Sequence, residues 1–241
     1  KRIMMNLGNE FWVFIPARAG SKSIKNKNIK KLGKYPLIAY SIFAAKKLKI
    51  AKRIIFSSDS KRYLNIAKKY GCKFLHKRDK KYAKDKTSDL EVFKNYLFFL
   101  KNKKIVPPKY FIHLRPTTPL RSKKEMLKAI NFFKKNSKKY SALRSVSTMS
   151  NPSQKTMLIN NKKLCSIVEK DFNLDKYNGP KELFPKTYLP NGYIDIVKTK
   201  NILANKFHGN KVLPFITKEF NSDVDSIDDF KYVQYRIGRK K

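Results

Sequence analysis

The sequence predicts an α/β fold in which helices flank a mostly parallel β-sheet. Two observations carry this prediction. Short apolar runs of strand length alternate with amphipathic segments of helix length, and capping residues or Gly and Pro separate the two. Strands that alternate with helices form parallel sheets through right-handed crossovers. Because the loops at the carboxyl ends of such strands converge on one crevice, the fold class also predicts where a ligand binds.

The first half of the chain has the strand–loop–helix order of such a sheet. Residues 11–15 are a continuous apolar run, which is typical of a strand covered on both faces. Ser88-Asp89-Leu90-Glu91 has the pattern of a capping box at a helix start, and Gly71 follows a helix end. The predicted elements are strands at 11–15, 53–57 and 73–75 and helices at 36–48, 60–70 and 88–102.

The second half continues this alternation but contains one irregular segment. Ser122 and Glu125 form a second capping-box pattern at a helix start. Between residues 149 and 190, turns separate short strand-like runs around Met157 and Cys165. We therefore expect residues 1–148 and 191–241 to form the core and residues 149–190 to form an extension. The predicted elements are strands at 110–114, 141–147, 193–197 and 212–216 and helices at 122–136 and 226–237.

Length and composition favour one globular domain without a membrane span. The chain has 241 residues, of which 41% are hydrophobic, and this is enough for a sizeable core. The longest apolar stretches fall short of the ~18 residues that a membrane span needs. Since the first residues also lack the pattern of a secretory signal, we expect a cytoplasmic protein. Cys72 and Cys165 show no metal-like spacing and are expected to be free thiols.

The net charge of +40 raises nucleic-acid binding as an alternative function. Lysine dominates the 57 basic residues and is spread over nearly every polar face. A nucleic-acid reader usually concentrates Arg and Lys in one stripe, whereas this spread is typical of a compositional bias. Nucleic acid is therefore an unlikely partner and a distant alternative, which predicts binding to arbitrary duplex with a steep salt dependence.

Phosphate chemistry is predicted in the segment 15–28. Pro16 ends the first strand, the small residues after it leave backbone N–H groups unshielded, and Arg18, Lys22 and Lys27 add positive charge. Backbone donors and cations together stabilise phosphate oxygens. The segment is not the phosphate loop of ATPases, which needs Gly directly before Lys and another Gly five positions earlier. No GxGxxG follows the strand, so a dinucleotide site has no support.

Other polar turns are expected at the same edge of the sheet, namely residues 57–59, residues 115–121 and the residues that follow Tyr193. The turn at 115–121 contains two prolines that fix φ, two threonine hydroxyls and two arginines. Such a turn presents hydroxyl and guanidinium groups to a sugar or phosphate, although it also serves as a purely structural stiff turn. Gly192, after Asn191, allows the backbone to approach a ligand closely.

Asp223-Val224-Asp225 is the candidate metal site. Alternate residues of an extended segment point to the same side, so the two carboxylates reach one hard cation. Mg²⁺ usually takes one or two carboxylates and completes its shell with water and phosphate oxygens. The alternative explanation is that these acids only cap the helix that begins near Ser226.

Taken together, the motifs resemble those of the acylneuraminate cytidylyltransferase family, the CMP-sialic acid synthetases and their relatives for bacterial nonulosonic acids. The match spans nearly the whole chain in the right order, and the combination is specific although each motif alone is weak. The matching motifs are Ala17-Arg18-Ala19-Gly20-Ser21-Lys22-Ser23-Ile24 with Lys27-Asn28, Arg115-Pro116-Thr117-Thr118-Pro119-Leu120-Arg121, Asn191-Gly192-Tyr193-Ile194, and Asp223-Val224-Asp225 with Asp229-Phe230.

This resemblance implies a cytidylyltransferase that activates a nonulosonic, sialic-acid-like sugar acid with CTP, gives the CMP-sugar and pyrophosphate, and uses Mg²⁺. It implies a Rossmann-like sheet and a small dimerisation extension, residues 149–190, that is exchanged between the subunits of a homodimer. It also implies a cytoplasmic enzyme that serves the synthesis of lipopolysaccharide or other surface glycans, with no membrane partner.

The resemblance further implies roles for individual residues, with Asp223 and Asp225 as the metal ligands. As a mechanistic hypothesis, Arg18 and Lys22 are catalytic through the charge of the leaving pyrophosphate, and Asp225 is catalytic through the attacking hydroxyl. The residues that would bind the nucleotide are Ala17, Arg18, Ala19, Gly20, Ser21, Lys22, Lys27, Asn28, Arg78, Thr87 and Ser88. The residues that would bind the sugar acid are Arg115, Thr117, Lys155, Lys181, Asn191 and Asp195.

The chain departs from the family pattern at several positions. Ser23 replaces a frequent Gly, Arg115 stands where relatives often carry Gln, and Asp195 stands where sialic acid enzymes often have Tyr. Ser23 restricts the loop slightly, and Asp195 favours a legionaminate-like or other nonulosonate over N-acetylneuraminate. Enzymes for the eight-carbon acid Kdo use a different loop without Lys27-Asn28, so a CMP-Kdo synthetase or another sugar nucleotidyltransferase is the second hypothesis.

Overall fold

The computed structural model describes residues 10–51, 53–168, 173–218 and 223–239. Among these residues, seven strands form one central sheet, and helices cover both of its faces. All neighbouring strands of this sheet pair in parallel except one strand, which is antiparallel to both of its neighbours. The α/β fold with a mostly parallel sheet is therefore confirmed.

The strands are β1 (Phe11–Pro16), β2 (Ile54–Ser58), β3 (Phe74–Lys77), β4 (Tyr110–His113), β5 (Ala142–Thr148), β6 (Met157–Asn160), β7 (Lys163–Ser166), β8 (Tyr188–Lys198) and β9 (Val212–Ile216). The order across the central sheet is β9-β5-β8-β4-β1-β2-β3. β6 and β7 pair with each other in a separate antiparallel hairpin. A second small hairpin joins Lys31–Leu32 to Tyr35–Pro36 before the first helix.

The helices are α1 (Leu37–Leu48), α2 (Lys61–Lys69), α3 (Asp89–Asn102), α4 (Lys123–Asn136), α5 (Leu174–Tyr177), α6 (Thr199–Leu203) and α7 (Ile227–Gly238). The bounds of α1, α2, α3, α4 and α7 agree closely with the helices expected from the sequence. α5, which lies in the irregular segment, and α6, which follows β8, were not expected.

Side chains of β1 alternate between two hydrophobic cores, one on each face of the sheet. Phe11, Val13 and Ile15 pack with α1, α2 and α4, whereas Trp12 and Phe14 pack with α3 and α6. All five side chains are buried. The continuous apolar run of this strand therefore reflects burial on both faces, as expected for a central parallel strand.

The predicted capping boxes differ in outcome. Ser88 and Glu91 form both hydrogen bonds of a capping box at the start of α3. Ser122 accepts a hydrogen bond from the Glu125 N–H at the start of α4, which is half of the predicted box. The Ser122 N–H instead donates to Tyr193 Oη over 2.9 Å, and a Glu125 carboxylate oxygen accepts from the Lys218 N–H over 3.3 Å. Tertiary contacts have replaced the second local hydrogen bond.

β8 differs most from expectation, in both length and direction. It begins at Tyr188, five residues before the predicted start, and a bulge between Pro190 and Asp195 interrupts its pairing with β5. Because β8 runs antiparallel to β4, the residues that precede Tyr193 lie near the carboxyl end of β4. Of the residues after Tyr193, Asp195 lies at this edge, opposite His113, and the residues before Tyr193, Asn191 and Gly192, also lie there.

No helix within the described ranges has the length and apolar character needed to cross a bilayer.

Candidate functional site

A cavity of about 630 Å³ opens beyond the carboxyl ends of β1, β3 and β4. The loop after β1, the loop before α3 and the turn after β4 contribute its walls. The sequence-predicted site residues that line it are Ala17, Arg18, Ser21, Lys22, Lys27, Asn28, Arg78, Thr87, Arg115, Thr117 and Asp225. Segments far apart in sequence therefore meet in one cavity, as the fold class predicts.

Other predicted site residues do not line this cavity; they are Ala19, Gly20, Ser88, Lys155, Lys181, Asn191, Asp195 and Asp223. Ser88 caps α3, and the side-chain amide of Asn191 donates to Thr217 Oγ1 over 2.8 Å. Lys155 donates to the Gly179 carbonyl and lies over the Phe184 ring, within the irregular segment. Lys181 lines a separate cavity of about 310 Å³ beside this segment.

The loop after β1 is held by contacts at both of its ends. The Ala19 N–H donates to Asp59 Oδ1 over 2.9 Å, so the turn after β2 supports the loop without lining the cavity. The Asn28 side-chain amide donates to the Arg18 carbonyl over 3.0 Å. Lys27 is buried, and its ammonium contacts the Val224 carbonyl at 2.7 Å and Asp225 Oδ1 at 3.1 Å. The loop therefore presents fixed cations to the cavity.

Arg18 and Lys22 share one carboxylate. Arg18 Nη2 lies 2.7 Å from Asp85 Oδ1, and Lys22 Nζ lies 2.6 Å from Asp85 Oδ2. These contacts lower the pKa of the Asp85 carboxyl below its usual value, the hydrogen bond from Lys22 being the largest cause. Each oxygen of the Asp85 carboxylate thus contacts one cation. Two oxygens of a phosphate group would contact Arg18 and Lys22 in the same way.

Arg78 brings unused hydrogen-bond donors to the cavity. Its side chain is 3% exposed, and its Nε and Nη2 have no hydrogen-bond partner among the residues that the structure describes. Burial lowers the pKa of this guanidinium below its usual value, and the nearby Asp59 opposes the shift. A buried cation with unsatisfied donors is costly unless a ligand accepts from it, and this favours binding of an anion here.

Arg115 joins two carboxylates on the opposite wall. Its Nη1 donates to Asp195 Oδ2 and its Nη2 to Asp89 Oδ2, each over 2.7 Å. Burial acts to lower the pKa of Arg115, but the two carboxylates raise it above its usual value. His113 is fully buried between the same acids, and burial lowers its pKa to about 4. The imidazole is therefore neutral near pH 7.

Arg121 organises the turn after β4. Its guanidinium donates to the carbonyls of Arg115, Thr118, Gly192 and Tyr193, so it joins this turn to the start of the regular part of β8. Burial is the largest influence on this group and lowers its pKa to about 9. Sequence reasoning noted Arg121 only as a cation that the turn presents to a ligand. The structure instead uses it as an internal support.

Asp223 and Asp225 flank the buried Val224, and of the two acids Asp225 lines the cavity. Val224 is fully buried and its N–H donates to the Thr117 carbonyl over 2.8 Å, which fixes the segment against the turn after β4. Asp223 Oδ1 accepts from Thr118 Oγ1 over 3.4 Å, while Asp225 is exposed at the cavity and pairs with Lys27. Asp229 forms a capping box with Ser226, so this neighbouring acid is explained by the helix start.

The sequence did not single out three residues that line the cavity; they are Asp85, Asp89 and His113. Asp85 lies in the polar loop before α3 and Asp89 follows the predicted cap Ser88, so their positions next to these features were the available signal.

A second cavity, of about 720 Å³, lies between α3 and α6, and no acid is among its lining residues. Its mostly apolar walls do not suit a triphosphate.

Comparisons with known proteins agree on one family. The family model described as "Cytidylyltransferase" matches residues 12–189. The chain is 33% identical to CMP-N,N'-diacetyllegionaminic acid synthase of Campylobacter jejuni over 94% of both chains. It is also 33% identical to N-acylneuraminate cytidylyltransferase of Escherichia coli over 94% of this chain, but it spans only 52% of that longer protein.

Among solved structures, the fold is similar to that of CMP:2-keto-3-deoxy-manno-octonic acid synthetase complexed with CTP. The TM-score is 0.68 and the similarity covers 96% of this chain and 100% of that one, at 14% sequence identity. At this identity the likeness concerns the fold alone. It agrees with a Rossmann-like α/β architecture.

Proposed function

This chain belongs to the cytidylyltransferase family, and we propose that it transfers the cytidylyl group of CTP to a nonulosonic sugar acid, giving a CMP-sugar and pyrophosphate. The names of its relatives support this substrate class, since they act on N-acylneuraminate and on N,N'-diacetyllegionaminic acid. A CTP-consuming reaction would place the enzyme in the cytoplasm, where nucleoside triphosphates are made.

The observation that carries the proposal is the set of cations around the cavity at the carboxyl ends of the strands. Arg18, Lys22, Lys27 and Arg78 all line it, and the donors of Arg78 lack partners among the described residues. A triphosphate supplies the anionic oxygens that such a set requires.

In the proposed reaction the anomeric hydroxyl of the sugar acid attacks the α-phosphorus in line and releases its proton to water, while the bond between the α-phosphorus and the oxygen that bridges to the β-phosphate breaks. Arg18 and Lys22 stabilise the charge that develops on the leaving pyrophosphate. Lys27 and Asn28 hold the loop and the nucleotide, and Asp225 orients the attacking hydroxyl. Most of the rate acceleration then comes from positioning and electrostatics.

Asp223 and Asp225 fit a Mg²⁺ ion by the chemistry of their donors. Two carboxylates beside a triphosphate site supply the protein share of a magnesium shell that phosphate oxygens and water complete. The ion would act as a Lewis acid on the phosphate oxygens. Within the described part of the chain, no group of three or more His, Cys, Asp or Glu side chains is placed to hold a metal without such help.

We further propose a homodimer in which the segment 149–190 of one subunit reaches the partner. The hairpin β6–β7 and the residues around it expose apolar side chains, among them Ile159 at 79% and Leu183 at 75%. Exposed apolar groups in one segment favour a protein interface. Such an exchange would also explain why Lys155 and Lys181 lie away from the cavity of their own chain, because they would approach the sugar carboxylate of the partner site.

A product assay tests the proposed function. The enzyme is incubated with Mg²⁺, one of the four ribonucleoside triphosphates and a panel of eight- and nine-carbon ulosonic acids, and products are identified by mass spectrometry. We expect a CMP adduct of a nine-carbon acid and an equal amount of pyrophosphate, from CTP alone. Arg18→Ala should lower kcat/KM by about 10²-fold, whereas Arg62→Ala, on the exposed face of α2, should not change it. Absence of any CTP-dependent product would refute the function.

A further inference from the structure

One wall of the cavity carries a charged cluster, which consists of Asp89, Arg115, Asp195 and His113. The proposed reaction assigns no role to this cluster. Asp89 is the first residue of α3, Arg115 follows β4, and Asp195 lies on β8 directly opposite His113 of β4. Arg115 donates one hydrogen bond to each carboxylate, as described above. His113 Nδ1 lies 4.0 Å from Asp89 Oδ2 and 3.9 Å from Asp195 Oδ2.

Both acids of this cluster are ionised and share Arg115. Burial acts to raise the pKa of both acids, but the charge and hydrogen bonds of Arg115, together with His208 at Asp195, hold each pKa below its usual value, so both are ionised near pH 7. His113 is neutral there because burial lowers its pKa. The two carboxylates therefore occupy Nη1 and Nη2 of Arg115, and His208 Nε2 lies 3.9 Å from Asp195 Oδ2. This arrangement suits Arg115 poorly as a receptor for a carboxylate of the sugar acid.

Several atoms of the cluster lack hydrogen bonds. Asp195 Oδ1 and both ring nitrogens of His113 are buried without a hydrogen-bond partner among the residues that the structure describes. Their side chains are 1% and 0% exposed. Asp89 is different, since it is 37% exposed and lines the cavity. A buried polar group without a partner needs an explanation, and a bound ligand is one. Asp89 and Arg115 both reach the cavity, but Nη1 and Nη2 of Arg115 already donate to carboxylates, which leaves Asp89 as the acceptor that a ligand can use.

We propose that Asp89 recognises an uncharged N–H or O–H donor of a substrate, and that Arg115 is a positioning residue that holds the Asp89 carboxylate in place. The inference rests on the proposed function, because it assumes that CTP and a sugar acid share this cavity. A carboxylate fixed by Arg115 accepts a hydrogen bond from a neutral donor and repels an anionic group. Two sources offer this chemistry: the exocyclic amino group of cytosine, which carboxylates are known to accept from, and an amide or hydroxyl of the sugar acid.

Measurements of substrate discrimination show whether the hydrogen-bond donor belongs to cytosine or to the sugar acid. In one arm, kcat/KM is compared between CTP and UTP, which lacks the amino group. In the other, the sugar acid that the product assay identifies is compared with analogues in which single N–H or O–H groups are methylated. A site built on a hydrogen bond rejects a ligand without the donor by as much as ~10⁴-fold. We expect a discrimination of at least about 10²-fold in one arm for the unmodified enzyme, falling to within about tenfold in Asp89→Ala.

Further variants separate recognition from folding. Asp89→Asn keeps the size of the side chain and should lower the kcat/KM discrimination between the two ligands in part. This variant replaces Asp89→Ala in the test if the alanine variant does not fold. Arg115→Gln should lower the same discrimination ratio. If Arg115 instead bound the carboxylate of the sugar acid, its replacement would lower kcat/KM equally for all analogues and leave the ratio unchanged. Asp228→Asn is the matched control, since it also removes an acid from the first turn of a helix but is exposed.

The proposal is overturned if Asp89→Ala lowers kcat/KM for all substrates alike, which would indicate a structural role for Asp89. It is equally overturned if the unmodified enzyme turns over its substrates but shows no discrimination in either arm. Failure of the proposed function has a different signature, because the unmodified enzyme would then form no CMP-sugar at all.

Discussion

Cations at the cavity wall are held by acids of the same chain. Asp85 bridges Arg18 and Lys22, Asp225 pairs with Lys27, and Asp89 and Asp195 hold Arg115. Such pairs orient the cations and limit their mutual repulsion. At Asp85 the pair is exposed to solvent, so a ligand with stronger charge can displace it.

Replacing Asp85 by Asn should tighten triphosphate binding. The carboxylate occupies the donors of Arg18 and Lys22 that the proposed function assigns to phosphate, so its removal ends this competition. We expect the Kd of CTP, measured by titration calorimetry at low salt, to fall by about threefold to tenfold, and the gain to shrink as salt screens the charges. Asp228→Asn should leave the Kd unchanged. Weaker CTP binding by Asp85→Asn would show that Asp85 assists the nucleotide instead.

His76 should make the stability of the protein depend on pH. Its Nδ1 lies 3.0 Å from Ser57 Oγ in a buried position, and burial, followed by the charge of Arg78, lowers its pKa from 6.5 to about 4. Between these values the unfolded chain binds a proton that the folded protein does not, so the free energy of unfolding falls as pH falls through this window. The expected slope is about 1.4 kcal/mol per pH unit for each such histidine.

Urea unfolding at pH 7, 6 and 5 measures this dependence. His113 has the same direction of shift, so the unmodified protein should lose stability through both residues. His76→Asn should be less stable than the unmodified protein at pH 7 but should lose less stability on acidification. Parallel curves for the two proteins would contradict the assignment.

At the scale of elements, β8 supports the turn after β4, which lines the cavity. Its antiparallel direction and its bulge bring Gly192 against the turn after β4, where a Cβ atom on Gly192 would lie 2.7 Å from Thr118 Oγ1 and 3.6 Å from Asp223 Oδ2. Gly192 has φ +65°, a conformation that side chains disfavour. Close approach and backbone conformation therefore both require glycine here.

Gly192→Ala should impair both stability and activity. The left-handed conformation alone costs about 1–2 kcal/mol for a residue with a side chain, and the contact would displace Thr118 and with it Asp223. We expect a lower midpoint of thermal unfolding and a more than tenfold lower kcat/KM. Gly238→Ala, where an added methyl group meets no other side chain within 4 Å among the described residues, provides the control and should lower neither. An active and equally stable Gly192→Ala would rule out this close packing.

The sequence predicted most helices and strands correctly, because hydrophobic periodicity and helix-capping patterns depend only on residues that are close in sequence. The apolar run of β1 and the capping box of α3 are examples, since neither depends on distant residues. The direction of β8 was not predictable in this way, because it is set by pairing with β4 and β5. The capping box at Ser122 failed for the same reason, as Tyr193 and Lys218 compete for its groups.

The whole molecule adds contacts that no motif contains. The cavity brings together the loop after β1, the loop before α3 and Asp225, and this convergence followed from the fold class. The acids that pair with the cations did not follow from it. Asp85 and Asp89 are ordinary polar residues in sequence, and only the folded chain brings them to Arg18 and Arg115.

The proposed dimer gives a prediction at this scale. Ile159→Asp places a charge on an exposed apolar position of β6, and it should halve the mass measured by light scattering if this segment forms the subunit interface. Catalytic activity should fall with it, because the exchanged segment would no longer reach the partner site. Val106→Asp, at another exposed apolar position, is the control and should leave the mass unchanged. A dimer that survives Ile159→Asp would contradict this interface.

The central claim is that one cavity binds CTP through the loop after β1 and carries out the transfer. A crystal structure with CTP and Mg²⁺ tests it most directly. The account predicts the triphosphate against Arg18, Lys22 and Lys27, the Asp85 carboxylate displaced from both cations, and the metal at Asp223 and Asp225. Nucleotide bound elsewhere, or a triphosphate directed away from Arg18 and Lys22, would contradict the account.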